Sequence, residues 1–188
     1  MSDWTTPKTD WSTGELVADT HMNDIGNNLN YLRERAVGAR VTNTSNLPIP
    51  DTGAATPIEF NSSRFDTDNM RDTVNVSHLK INTPGKYLIV GQVAWEGDQD
   101  GWRELSIQYT VSGNTKVIGI ARVTAPNSSG FGQCVTTVWD FTASDVANNV
   151  YVELTAALDN SGASDVDVEA GDYSPDLMAM LLSETPSS

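Results

Sequence analysis

The sequence predicts an all-β chain, an antiparallel sandwich or jelly roll, preceded by a short N-terminal arm and one α-helix. Three observations carry this expectation. From residue 41 onward, apolar and polar residues alternate in short runs, as in Leu105, Ile107, Tyr109 and Val111, or Val150, Val152, Leu154 and Ala156. Turn residues separate the runs, at Pro84-Gly85, Ser112-Gly113-Asn114, Asn148-Asn149 and Ser161-Gly162. Helical spacing occurs only near the N-terminus, so no helices are expected between the strands to build parallel βαβ units.

Taken in order, residues 3–15 are rich in Thr, Trp and Pro and read as an extended arm. Trp4 and Trp11 stand in this otherwise polar stretch. An extended arm cannot bury two indoles by itself, so they either anchor the chain to another surface or fold back on the helix that follows. From Asp19 to Gly38 the pattern becomes helical. Met22, Ile25, Leu29, Leu32 and Ala36 recur at spacings of 3, 4, 3 and 4, an apolar seam of a/d type. Asp19 or Thr20 is the expected N-cap and Gly38 the stop. Asn23, Asn27, Asn28, Asn30 and Arg33 occupy the rest of the surface. A helix this short is marginal alone in water, so its seam needs a partner: its own copies or the body of the protein.

The body is expected to contain strands at 40–44, 56–60, 74–81, 85–95, 102–111, 116–123, 133–141, 150–158, 163–168 and 176–182. Ser112-Gly113-Asn114 between two alternating runs signals a hairpin. The chain therefore divides into an arm and helix, residues 1–40, and a β-domain, residues 41–188. Its 188 residues suffice for one core-forming domain with an extension.

The net charge is −14, and the 11 basic residues are scattered singly, which argues against a nucleic-acid partner. Mean hydropathy is −0.33, and no apolar run approaches the ~20 residues of a membrane span, so no membrane insertion is expected. Residues 1–15 lack the basic and apolar regions of a secretory signal, which predicts synthesis in a cytoplasm. Acidity of this degree is tolerated in high salt, where charge is screened, and points to a halophilic setting. Cys134 is the single cysteine; it makes no disulfide within the chain and is expected to be a small buried strand residue.

Reactive constellations are sparse. The sequence has no Gly-rich phosphate loop before a helix and no Gly-x-Ser-x-Gly elbow. His21 and His78 are its only histidines, and His78 reads as a structural or surface residue. No enzymatic activity and no cofactor are expected. Asp165, Asp167 and Glu169 alternate with Val and Ala, and could offer hard oxygen ligands to calcium or another cation. Alternation also places them on one strand face, where like charges repel, so a solvated acidic face is the favoured reading. Asp98 and Asp100, in a loop between two strands, are a second candidate of the same kind. Asn43, Asn61, Asn75 and Asn127 begin Asn-x-Ser/Thr sequons, read as chance matches in an Asn-rich chain.

Several short motifs follow one another through the body: Ile58-Glu59-Phe60, Phe65-Asp66-Thr67, and Leu79-Lys80-Ile81 leading into Pro84-Gly85-Lys86-Tyr87-Leu88-Ile89-Val90-Gly91. Trp95, Arg103, Val150-Tyr151-Val152-Glu153-Leu154 and a closing apolar strand at 177–182 complete the series. In this order they resemble the jelly roll of tumour-necrosis-factor-like proteins and complement 1q-like globular heads. The resemblance implies a ten-strand antiparallel jelly-roll sandwich, a homotrimer with apolar strands at its threefold axis, and a binding or structural role. The chain departs from that pattern in having no collagen-like Gly-x-y stalk.

A second resemblance covers about the first 35 residues. Thr6-Pro7-Lys8-Thr9-Asp10-Trp11, Gly14-Glu15-Leu16-Val17, Asn23-Asp24-Ile25 and Asn28-Leu29-Asn30-Tyr31-Leu32 resemble the N-terminal segment of tailed-phage structural proteins, which implies attachment to a particle. The two together predict a structural virion protein of a bacteriophage or archaeal tailed virus: a capsid turret or decoration protein, or a tail fibre. Its expected partners are its own copies, other virion proteins, and a host surface glycan or protein met through loops. Trp4, Trp11, Met22, Ile25, Leu29 and Leu32 are the expected attachment and oligomer surface. The alternatives are a cell-surface carbohydrate-binding adhesin of the same fold, or a glycan-degrading tail spike, which would need paired carboxylates.

Overall fold

In the computed structural model the chain forms two compact units, Met1–Val37 and Gly38–Ser188. The structure describes residues 6, 8–10, 19–34, 37–97, 101–125, 130–159, 165–171 and 175–184. The first unit contains α1 (Asp19–Glu34), which starts where the expected cap lies and stops four residues before Gly38. Trp4 and Trp11 lie outside the described residues, as does the side chain of Leu32. No helix among the described residues is long and apolar enough to cross a membrane.

The second unit consists of β1 (Gly38–Thr42), β2 (Leu47–Ile49), β3 (Thr56–Pro57), β4 (Ser62–Asp66), β5 (Leu79–Lys80), β6 (Gly85–Trp95), β7 (Trp102–Val111), β8 (Asn114–Thr124), β9 (Phe131–Phe141), α2 (Ala143–Ala147), β10 (Tyr151–Asp159), β11 (Val166–Val168) and β12 (Asp176–Glu184). They form two sheets with antiparallel pairing. In the first, β6 pairs with β9 along its whole length. Its other edge meets β12 from Gly85 to Gln92 and then β11 at Trp95. β12 continues to β1 and β1 to β4, while β11 pairs with β2. The second sheet runs β3-β10-β7-β8, with β5 also on β10.

The core lies between the sheets. Tyr87, Ile89, Val93 and Trp95 of β6 point inward, as do Leu105 and Ile107 of β7 and Val152, Leu154, Ala156 and Leu158 of β10. Gly91 interrupts the inward row of β6 because the fully buried Leu154 of the facing sheet fills that space; a Cβ on Gly91 would overlap it. Alternation of period two thus does on β7 and β10 what the sequence predicts. The β7–β8 hairpin closes through Ser112 and Gly113, at φ 49° and 77°, with Val111 paired to Asn114. Positive φ at both turn positions is the type I′ geometry that matches strand twist.

Three expectations are corrected. Only Leu79–Lys80 of the expected strand 74–81 pairs as strand. Upstream, the Asp72 carboxylate accepts from the Val74 N–H at 2.9 Å, and the His78 N–H donates to the Asn75 carbonyl at 2.9 Å, so side-chain and turn bonds replace the ladder. β2 and β4 were not expected, because their short, polar or Pro-containing sequences carry no alternation and rely on pairing with β11 and β1. A helix also interrupts the strands: Thr142 and Asp145 form a reciprocal capping box at the start of α2.

Candidate functional site

A strand pairing along both edges still has two faces, and on β6 both are apolar. Leu88 and Val90 point away from the core and are half-buried. Register places Met180 beside Leu88 and Met178 beside Val90 on β12. On the other edge, Val138 lies opposite Leu88 and Thr136 opposite Val90. Arg40 of β1 faces Met178, and Phe65 of β4 faces Arg40. Leu182 extends the patch at the β12 bulge. Val138 is 51% exposed, Leu182 55% and Phe65 38%. The outer surface of the first sheet is therefore an apolar field across β9, β6 and β12, with Phe65 of β4 beyond Arg40.

One polar cluster borders it. Asp176, 4% exposed, accepts from Arg40 Nη2 at 2.6 Å and from Gln92 Nε2 at 2.7 Å. Arg40 and Gln92 thereby supply the donors a buried carboxylate requires. At the opposite margin Lys86 faces Asp140 across the β6–β9 ladder. Next to the Asp176 cluster a depression of about 170 Å³ is lined by Gln92, Val93, Gly132, Gln133 and Cys134. It is smaller than the ~300 Å³ or more of a typical small-molecule site. Cys134 itself is exposed, contrary to the buried strand residue expected, because β9 alternation turns Val135 inward and Cys134 outward.

The apolar field reaches the edge where the two sheets meet. Thr137 Oγ1 of β9 donates to the Ile118 carbonyl of β8 at 2.8 Å, and Gln133 Nε2 donates to the Ala121 carbonyl at 2.7 Å. These side chains occupy β8 acceptors that a free strand edge would leave to another chain. Val117, Ile120 and Val123 of β8 are nonetheless exposed, at 47%, 60% and 37%.

The second sheet presents a different outer surface. Ser106 and Thr155 share a hydrogen bond of 2.7 Å, Gln108 Nε2 donates to Thr155 Oγ1, and Thr110 bonds Thr115. Arg122 Nε donates to Glu104 at 2.8 Å and its guanidinium lies 4.2 Å from the Trp102 ring centroid. Ser77, His78 and Glu153 come together at one end, but Ser77 Oγ donates to Glu153 Oε1 at 2.7 Å while His78 Nε2 lies 3.5 Å from the same oxygen. The carboxylate, not the imidazole, accepts the hydroxyl's hydrogen bond, so this is not the hydrogen-bond order of a catalytic triad. His78 stacks on Tyr151 with ring centroids 3.6 Å apart.

Asp165, Asp167 and Glu169 share one side of β11 while Val166 and Val168 are buried, as alternation predicts. Asp165 accepts from the backbone N–H of Asp51 at 3.3 Å, and Asp167 from Asn46 Nδ2 at 3.4 Å. Two of these carboxylates thus bind the 43–51 segment, and among the described residues no three potential ligands group as for a metal ion. Asp98 and Asp100 lie outside the described residues. Of the predicted attachment residues, Met22, Ile25 and Leu29 form an exposed seam on α1, at 58%, 48% and 63%. Sequence reasoning missed the outer-face residues Leu88, Val90, Met178 and Met180. Their signal was the continuous apolar run at 87–90, together with the nearly continuous one at 177–182, where a one-faced strand would alternate.

Neither a known protein family nor a curated protein sequence matches the chain. Its fold matches solved structures. Eiger TNF from S. frugiperda aligns with a TM-score of 0.60 at 11% identity, covering 82% of this chain and 98% of that one. Murine APRIL aligns at 0.59 and 9% identity, covering 78% and 99%. The globular domain of zebrafish complement 1qA gives 0.49 at 13% identity, covering 79% and 99%. The first two establish the antiparallel jelly roll that the sequence predicted.

Proposed function

We propose that this chain is a non-enzymatic structural or binding protein of a tailed virus particle, assembled as a homotrimer, made in the host cytoplasm and held on the virion by residues 1–40. The observation that carries the assembly is the apolar outer face of the first sheet. Leu88, Val90, Val138, Met178, Met180 and Leu182 together make a field of the kind that marks an interaction surface. The tumour-necrosis-factor-like jelly roll implies that three copies share this face, and closed cyclic symmetry suits a projecting particle component. The virion assignment draws on the phage-like motifs at 6–11, 14–17, 23–25 and 28–32. Loops of the sandwich are the expected contacts with a host surface.

Light scattering tests the assembly: the mass should be three times 20.3 kDa. A monomer would overturn it. For the particle role, virions purified from the encoding virus should contain the full chain and lack a version without residues 1–40, and normal incorporation of that deletion would refute attachment. The charge of −14 supports a high-salt habitat, so Tm should rise between low and multimolar salt. An unchanged Tm would remove that part of the reading.

A further inference from the structure

We infer that the α1 seam is occupied by the same seam of the other two copies, as a parallel three-stranded coiled coil on the axis of the homotrimer. This rests on the homotrimer proposed above and decides what that reading leaves open: whether the helix meets its own copies or another particle protein.

Four features lead there. Met22, Ile25 and Leu29 are each about half exposed or more, although they are the largest apolar side chains described on the helix. The seam is narrow, because the positions around it are Asn23, Gly26, Asn27 and Asn28. Two apolar positions in seven suit another helix, whereas a helix lying on a sheet needs a wider stripe. The register makes Met22 and Leu29 a positions and Ile25 and Leu32 d positions. No β-branched residue stands at a, as two strands would favour, and Leu29 at a with Ile25 at d is the pairing that shifts the preference to three or more. Finally, α1 ends four residues before Gly38, a tether of at most ~14 Å. Gly38 pairs with Met180, in the row that continues through Leu88 to Val138. Copies that meet through that face bring the C-terminal ends of α1 together, and rotational symmetry makes the helices parallel.

The test uses the full chain with Cys134→Ser, so that a single new cysteine reports. Leu29→Cys and, separately, Met22→Cys place thiols in the seam, and Asn27→Cys places one on the opposite surface. After mild oxidation, non-reducing gels should show linked pairs, two of every three chains, for either seam variant and none for Asn27→Cys. Light scattering of the Cys134→Ser parent should give the trimer. A trimeric parent whose two seam variants fail to link, or link no better than Asn27→Cys, overturns the coiled coil and leaves the homotrimer standing. A monomeric parent overturns the homotrimer itself.

Discussion

The two sheets share one core but differ on their outer faces. The second sheet satisfies itself: Ser106, Gln108 and Thr155 bond one another, Thr110 bonds Thr115, and Arg122 bonds Glu104. Antiparallel sheets commonly have one such solvated face. The first sheet instead places Leu88, Val90, Met178 and Met180 on its outer face, with Asp176, Gln92 and Lys86 toward its ends and Arg40 between Met178 and Phe65. The hydroxyls and charges of the second sheet's face are paired within one chain, while Val117 and Ile120 of β8 stand exposed beside Gln108 and Ser106. An apolar face like that of the first sheet marks an interaction surface, and the homotrimer proposed above would cover it.

The largest effect that would break this contrast is a charge in the apolar field. Leu88→Asp should reduce the scattering mass from three chains to one, because a desolvated, unpaired carboxylate costs several kcal/mol at an interface. Gln108→Asp on the second sheet should leave the mass unchanged. Equal masses for the two variants would erase the distinction between the faces.

A smaller effect tests the ionic rim of the second sheet. Asp72 is buried, and burial raises its pKa, but the Val74 and Asn75 N–H groups and the Lys80 ammonium at 2.9 Å outweigh this and hold its carboxyl below the usual range. A pKa lower in the folded state than in the unfolded chain stabilises above the unfolded value of ~4 and is lost as pH falls toward the folded one. Asp72→Asn should cost roughly 1–3 kcal/mol at pH 7 and flatten the acid end of the stability profile. Denaturant midpoints at pH 7 and pH 3 read this, and a parallel loss at both would refute it.

The smallest effect concerns one hydroxyl. Thr155→Val removes the partner of Ser106 and of Gln108, and should cost about 1 kcal/mol by urea unfolding with no change in assembly. A fall in mass would mean that the second sheet also lies in an interface.

How much of this was legible in the sequence depends on whether the signal was local. The runs at 85–95 and 102–111 were read with the bounds they have, because alternation, Pro84-Gly85 and Ser112-Gly113 are local. The α1 seam was legible for the same reason, as a 3.6-residue period needs only neighbouring residues. β2 and β4 were not, since Leu-Pro-Ile and Ser-Ser-Arg-Phe-Asp become strands only by pairing with β11 and β1. The start of the expected strand 74–81 looked β-like, yet the Asp72 carboxylate and the Asn75–His78 turn hold its backbone instead. At the candidate site, the run at 87–90 announced a strand apolar on both sides without saying which residues face out.

The sequence by itself determined the all-β character, the hairpin at Ser112-Gly113 and the seam of α1, because period and turn chemistry act within a few residues. Only the tertiary structure decided that Leu88 and Met180 turn outward together, that Cys134 is exposed, and that Arg40 meets Asp176 across 136 positions. The reason is physical. A residue's side on its strand follows from its neighbours in sequence, but what lies across the ladder follows from pairing between segments far apart in the chain.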